Sequence, residues 1–158
     1  MQILIVFHSK TGHTKKMAFA VAEGAREVGG FDVILKKIDE TTNDDLLKAD
    51  AIIVGSPTYF GQMSGKVKTL FDKSNEIHGK LEGKVGAAFT SAGGHASGAE
   101  TTLISILEAM LIHGMIIQGR AESAYYGVAS VGAPKEKEEK ESRELGERVA
   151  RLTLKLKS

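Results

Sequence analysis

The sequence contains no cysteine and no tryptophan, and only two of its 158 residues are proline. Without cysteine, the protein cannot form disulfides, thiolate metal sites or a cysteine nucleophile. The formal charge of +1 gives no overall attraction to nucleic acid or to acidic membranes. No apolar run approaches the roughly 20 residues that cross a bilayer, and the apolar start lacks the basic segment of a signal peptide. These absences favour a cytoplasmic location, without nucleic-acid partners, a membrane span or a bound metal.

The length is that of one ordinary domain, and we expect residues 1–158 to form a single one. Five apolar stretches have the length of strands. Most of them are continuous instead of alternating, which is typical of strands covered on both faces. The stretches are 3–7, 33–38, 51–55, 85–90 and 115–118.

Segments with helical spacing lie between these strands. Apolar residues recur on one face around Met17 and Val21, around Leu70, and around Ile106, and a shorter helix is predicted at 43–48. Strands that alternate with helices predict right-handed crossovers and a parallel sheet with helices on both sides. We therefore predict a three-layer, doubly wound α/β fold, in which ligands bind beyond the carboxyl ends of the strands.

The charged segment 135–157 is predicted to be a helix with a solvated face, not a binding tail. Leu145, Val149 and Leu152 give it an apolar stripe. Acidic residues precede basic ones at the i, i+4 spacing that favours ion pairs within a helix. The expected pairs are Glu136–Lys140, Glu139–Arg143 and Glu144–Arg148.

The loop after the first strand, HSKTGHT at 8–14, groups three hydroxyl side chains and a glycine at the predicted start of a helix. Free N–H groups and the helix dipole favour an anion there, and short hydroxyl donors can surround a terminal phosphate. Helix capping by Ser9 or Thr11 is the alternative, although capping needs only one such residue. Because neither GxxxxGK[ST] nor GxGxxG is present, we predict the phosphate of a mononucleotide.

Two further loops follow the third and fourth strands. GSPTYFGQMSG at 55–65 places Tyr59 and Phe60 outside the predicted core. Their rings could stack on a flat ligand, or Phe60 could pack under the loop. SAGGHASG at 91–98 could hydrogen-bond the polar edge of a ring, or could be an ordinary surface loop. Because all three loops leave the carboxyl ends of strands, we expect one shared ligand site.

These motifs resemble the flavodoxin-like superfamily throughout the chain, and within it the WrbA-type NAD(P)H:quinone oxidoreductases. The resemblance is carried by HSKTGHT at 8–14, GSPTYFGQMSGKVKTLFD at 55–72 and LIHGMII at 111–117. It implies a five-stranded parallel sheet in the order 2-1-3-4-5 and FMN as the cofactor. It implies no catalytic side chain, because the flavin carries the chemistry.

The resemblance also implies which residues hold FMN. The first loop would bind the phosphate, the second would line the isoalloxazine ring, and the third would follow its pyrimidine edge. His113 would reach the flavin, from its own or a neighbouring subunit; the alternative is a helix-terminal histidine in a position that suits the dipole. The predicted cofactor-binding residues are Ser9, Lys10, Thr11, Gly12, His13, Thr14, Pro57, Thr58, Tyr59, Phe60, Gly61, Ser91, Ala92, Gly93, Gly94, His95 and His113.

Two functions stay open, besides a flavin held for regulatory or structural purposes. An enzyme would take hydride from NAD(P)H and reduce a quinone or similar small acceptor, whereas a flavodoxin-type carrier would move single electrons between redox protein partners. We favour the enzyme, because SPTYFGQMSG and LIHGM match the WrbA pattern and the acidic excess of carriers is missing. A homo-oligomer, dimer or tetramer, is expected. The segment 75–84 is short and lacks Phe, Tyr and Trp, so we expect open access to the flavin.

Overall fold

The structure, a computed structural model, describes all 158 residues. Seven strands and five α-helices follow one another along the chain, with short 3-10 helices at Ile38–Glu40 and Ser74–Ile77. The strands are β1 (Gln2–Phe7), β2 (Asp32–Lys37), β3 (Ala51–Tyr59), β4 (Gln62–Met63), β5 (Val85–Ala92), β6 (Ile116–Ile117) and β7 (Val128–Val131). The helices are α1 (His13–Val28), α2 (Asn43–Lys48), α3 (Gly65–Lys73), α4 (Ala99–Ile112) and α5 (Glu136–Lys157).

The sheet has the predicted topology. Its parallel strands lie in the order β2-β1-β3-β5-β6, which is 2-1-3-4-5 when the five predicted positions are counted. The continuous apolar runs arise because helices cover both faces. Along β1, Ile3 and Ile5 point into the layer that contains α1 and α5, and Leu4 and Val6 point into the layer of α2, α3 and α4. The three-layer α/β prediction is confirmed.

The fifth position of the sheet differs from the prediction of one strand at 115–118. β6 covers only Ile116–Ile117 and pairs with the first residues of β5, at Val85 and Gly86. The chain then leaves the sheet and returns as β7, which pairs with Phe89–Ala92 at the carboxyl end of β5. The sequence did not reveal β7, because its four residues include the small Ala129 and Ser130 and form no apolar run.

The third strand is longer than predicted, and part of the expected loop at 55–65 is strand. β3 runs to Tyr59 and pairs in parallel with β5 as far as Pro57 and Ser91. It then turns at Phe60 and Gly61 and pairs with β4 as an antiparallel hairpin. Pro57 therefore lies within the strand and not in a loop beyond it.

The helix predicted at 135–157 forms as α5, but the predicted ion pairs within it do not. Leu145 and Val149 are buried against α1, and this contact turns the charged residues beside them towards other elements. The long-range ion pairs formed instead are Arg143–Glu23 at 2.8 Å, Glu139–Lys16 at 2.5 Å and Glu144–Arg120 at 2.5 Å. None of the helices has the length and apolarity needed to cross a membrane.

Candidate functional site

The three predicted loops meet around one open cavity of about 500 Å³ at the carboxyl ends of β1, β3 and β5. A fourth loop, which follows β7, also contributes to its wall. The lining residues are Lys10, Thr11, His13, Thr14, Pro57, Thr58, Tyr59, Ser91, Ala92, Gly93 and Gly132. One shared site was expected from the topology, and the cavity brings ten of the predicted residues together.

The hydroxyl groups of the first loop are not used to cap α1. Gly12 is the N-cap residue, and no side chain accepts from the N–H groups of the first helical turn. The first amide bond of the helix runs from Lys16 N–H to the Gly12 carbonyl, so the N–H groups of the three residues before Lys16 have no partner within the helix. Ser9 Oγ accepts from Gly12 N–H at 3.1 Å, and the Thr11 hydroxyl has no partner in the protein. These free donors fit an anion.

Two pairs of hydrogen-bonded hydroxyl groups lie at the cavity, and three of the four residues line it. The buried Thr14 and Ser91 hydroxyl oxygens lie 2.8 Å apart. Thr90 Oγ1 donates to the Ser56 carbonyl at 2.7 Å, so the 2.9 Å bond between Thr90 and Thr58 must use the Thr58 proton. Thr58 Oγ1 can therefore only accept a hydrogen bond from a ligand.

The aromatic residues of the hairpin stand at the rim. Phe60 is fully exposed at the turn, which excludes the alternative in which it packs under the loop. Tyr59 is also exposed, and its ring meets the ring of His8 edge-on, with centroids 6.1 Å apart. The hairpin tip touches the loop after β5: a Cβ on Gly98 would collide with the Gly61 backbone. Glycine is required for this contact between two of the predicted loops.

The remaining predicted residues do not line the cavity. Ser9, Gly12, Phe60 and Gly94 adjoin lining residues in the chain, whereas Gly61 and His95 each lie two residues beyond one.

His113 lies at the opposite edge of the sheet. It follows α4 and precedes β6, next to the amino end of β5, whereas Ser91 lies at the carboxyl end of β5. The six residue steps from Val85 to Ser91 span about 20 Å of strand. Within one protomer, His113 is therefore not brought to the cavity. The segment 75–84 ends at the amino end of β5, on the same side of the sheet as His113. Its lack of Phe, Tyr and Trp therefore does not affect access to the cavity of the same protomer.

The surroundings of His113 fix its tautomer. Ser74 Oγ donates its only proton to the Phe71 carbonyl at 2.7 Å, so His113 Nε2 must donate to Ser74 Oγ, also at 2.7 Å. His113 Nδ1 is then a buried acceptor, and it has no partner. Burial, and next the neighbouring His78, lower the pKa of His113 below its ordinary value of 6.5, which favours this neutral form.

Sequence reasoning missed two residues of the site region. Gly132 was missed because β7 was not recognised. His8 lies in the first loop but is not among the predicted cofactor-binding residues; its Nδ1 lies 2.8 Å from the Ser64 hydroxyl, which caps α3. Burial, and next Lys66, lower the pKa of His8. His8 therefore ties the first loop to the hairpin as a neutral side chain.

The charges and size of the cavity fit a flavin mononucleotide. No carboxylate lines it, and Lys10 is its only permanently charged side chain. Free N–H groups and hydroxyls at the start of α1 would hold a phosphate, and Tyr59 with the small Ala92 and Gly93 leaves space for a flat ring. A volume of about 500 Å³ is in the range of small-molecule sites.

Known proteins resemble this chain over nearly its whole length. The family model described as NADPH-dependent FMN reductase matches residues 36–126. An NAD(P)H dehydrogenase (quinone) from Archaeoglobus fulgidus is 42% identical, with 98% of each chain covered. A flavodoxin from Aquifex aeolicus is 41% identical over 94% of this chain and 85% of its own. The solved structure of a WrbA-like flavodoxin from Agrobacterium tumefaciens has a TM-score of 0.84 and 29% identity, with 98% of each chain covered.

Proposed function

The chain belongs to the NADPH-dependent FMN reductase family, and from this premise we propose that it is an FMN-dependent oxidoreductase that passes electrons from NAD(P)H to a quinone or similar acceptor. The observation that carries the proposal is the convergence of three donor-rich loops on one cavity without carboxylates. The family resemblance and the cavity are independent lines of support.

In this proposal, the protein binds and orients the cofactor. The N–H groups at the start of α1, with Ser9, Thr11 and Thr14, would hold the phosphate, and Lys10 would add a positive charge beside it. Thr58, Tyr59 and Phe60 would line the flavin ring, and Ser91, Ala92 and Gly93 would meet its polar edge. When bound, FMN would accept a hydride from the nicotinamide and deliver two electrons to the acceptor.

A flavodoxin-type carrier is the second candidate. The relative from Aquifex aeolicus is named a flavodoxin, and the exposed Phe60 ring could contact a protein partner. Two observations favour the enzyme. The NAD(P)H dehydrogenase (quinone) relative matches almost all of this chain, and the cavity carries none of the carboxylates with which acidic carriers dock basic partners.

The number of electrons that the flavin takes up in each step distinguishes the two functions. We expect the purified protein to release FMN, not FAD, on denaturation, and to be reduced by NADH or NADPH in a single two-electron step. Steady-state oxidation of the nicotinamide with benzoquinone as acceptor should follow. Spectra recorded during stepwise reduction, together with this assay, test the proposal. Accumulation of a one-electron-reduced flavin without nicotinamide oxidation would favour the carrier, and recovery of FAD would contradict the cofactor assignment.

Three further features belong to the proposal. We propose that residues 1–158 fold as one domain, supported by the packing of α5 on α1. We propose a cytoplasmic protein.

We also propose a homo-oligomer in which a second copy brings His113 to the flavin. This is supported by the exposed Leu111 and Ile112 beside His113.

Replacing His113 with alanine should lower the free energy of unfolding by about 1–3 kcal/mol, because a buried hydrogen bond and its packing are lost. If a second copy places His113 against the flavin, FMN affinity and the reduction potential should change as well. Ser74→Ala is the matched control, because it removes the hydrogen bond to the imidazole but keeps the ring. Thermal denaturation and a flavin titration of both variants measure the two effects. Unchanged FMN affinity and potential in His113→Ala would leave the histidine a purely structural role.

A further inference from the structure

A second cavity, of about 280 Å³, lies beside the first loop at the carboxyl ends of β1 and β2. Its wall includes the segment from His8 to Lys10, Lys15 on the first turn of α1, and Lys37 at the end of β2. Lys10 lines this cavity and the candidate flavin cavity as well. The two cavities are therefore neighbours on either side of the first loop. We refer to the second one as the lysine cavity.

Three of the side chains that line the lysine cavity are exposed lysines without an ion pair: Lys10, Lys15 and Lys37. The only carboxylate in its wall, Asp39, already accepts from Lys66 at 2.6 Å. Most of this protein's charges balance, since its formal net charge is only +1. The lysine cavity therefore carries a local excess of positive charge, which the overall composition of the protein does not explain.

The fold brings these lysines together from separate parts of the chain. Parallel pairing of β1 with β2 sets Lys37 opposite Phe7, one residue before the first loop begins. Lys15 projects from α1, and its Nζ lies 5.9 Å from the ring centroid of Phe19, whose side chain is exposed. An anion in the lysine cavity would therefore meet charges from β2, the loop and α1, next to an uncovered aromatic surface.

On the basis of the proposed function, we propose that the lysine cavity binds the 2′-phosphate of NADPH and selects NADPH over NADH. The two nicotinamides differ only in this phosphate monoester, which carries a charge of about −1.5 to −2 at neutral pH. Lysine binds phosphate as a point charge, and basic side chains commonly accommodate the 2′-phosphate at nucleotide sites. Because Lys10 lines both cavities, the lysine cavity adjoins the cavity that the nicotinamide must reach.

Lys37→Gln and Lys15→Gln test this on the FMN-loaded protein. Neither lysine lines the flavin cavity. Each variant should lower kcat/KM for NADPH about tenfold, as expected for one contact to a charged group, and change kcat/KM for NADH less than about twofold. Lys48→Gln is the matched control, since Lys48 is exposed without an ion pair at the end of α2 and lines neither cavity. It should change neither value.

Binding of 2′,5′-ADP and of 5′-AMP, measured by calorimetry, gives a readout that does not depend on turnover. We expect the wild type to prefer 2′,5′-ADP and both variants to lose this preference. Equal losses for NADPH and NADH, or no loss for either, would overturn the inference. Weakened FMN binding in the variants would also overturn it, because the lysines would then serve the cofactor phosphate. Binding of 2′,5′-ADP without nicotinamide oxidation would support the lysine cavity and contradict the proposed function.

Discussion

Replacing Thr11 with alanine should weaken FMN binding roughly ten- to a hundredfold, because a hydrogen bond to a charged group contributes about 1.5–3 kcal/mol. Thr11 is exposed and its hydroxyl has no partner within the protein, so the change removes nothing from the folded chain itself. Riboflavin, which lacks the phosphate, should bind the variant as well as it binds the wild type. Fluorescence titration of the apoprotein with both flavins measures the difference.

Two other hydroxyls of the loop serve as comparisons. Ser9→Ala also removes the acceptor for Gly12 N–H, so it should loosen the loop and weaken FMN binding at least as much. Thr14→Val breaks the buried bond with Ser91, and it should reduce protein stability as well as affinity. A parallel fall in riboflavin and FMN affinity for Thr11→Ala would show that the loop is structural and contradict its assignment to the phosphate.

Gly24→Ala should lower the free energy of unfolding by about 3 kcal/mol, because it inserts a methyl group where two helices touch. A Cβ at Gly24 in α1 would overlap the backbone of Arg143 in α5, and a Cβ at Gly146 in α5 would overlap the Val21 carbonyl. Backbone cannot move aside as a flexible side chain can. For a chain of this length the change corresponds to a fall in Tm of roughly 6–12 °C.

Gly65→Ala is the matched control for this prediction. Gly65 begins α3 with open space around its Cα, so alanine there should be neutral or slightly stabilising. The same chemical change should thus have opposite effects at two helical positions. Thermal denaturation of both apoproteins measures them, and an unchanged Tm for Gly24→Ala would contradict the close packing of α1 on α5.

Low pH should destabilise the protein through His113. Its folded pKa lies below its ordinary value of 6.5, so the unfolded chain binds more protons as the pH falls. This contribution to stability is fully present above pH 6.5 and decreases as the pH falls from there towards the folded pKa. His113→Gln should have a flatter stability profile than the wild type between about pH 7 and pH 5, measured by urea denaturation.

Much of the architecture could be predicted because it depends on local chemistry. The run from Ile3 to Phe7 is apolar on both sides of the strand, so it requires cover on both faces whatever the rest of the chain does. The order of strands and helices then places the loops of Thr11, Thr58 and Ser91 at one edge, because parallel strands end together. The shared cavity follows from the sequence order alone.

Other parts of the site have no local signal. β6 pairs with β5 only as far as Gly86, so the rest of β5 can pair with β7, which precedes Gly132. The sequence of β7 contains no apolar run from which this pairing could be predicted. Phe60 is exposed because a hairpin replaces the expected loop. Arg143 pairs with Glu23 because burial of Leu145 sets the rotation of α5 on α1. In each case a contact distant in the sequence decides the outcome.

Periodicity and motif chemistry act over a few residues, so they were sufficient to predict the layers, the strand order and the place of the first loop. They could not show that His113 lies far from the cavity, or that Lys37 joins Lys10 and Lys15 around a second cavity. Positions of this kind depend on strand register and on which helix covers which face. Those are fixed by the packing of residues far apart in the chain.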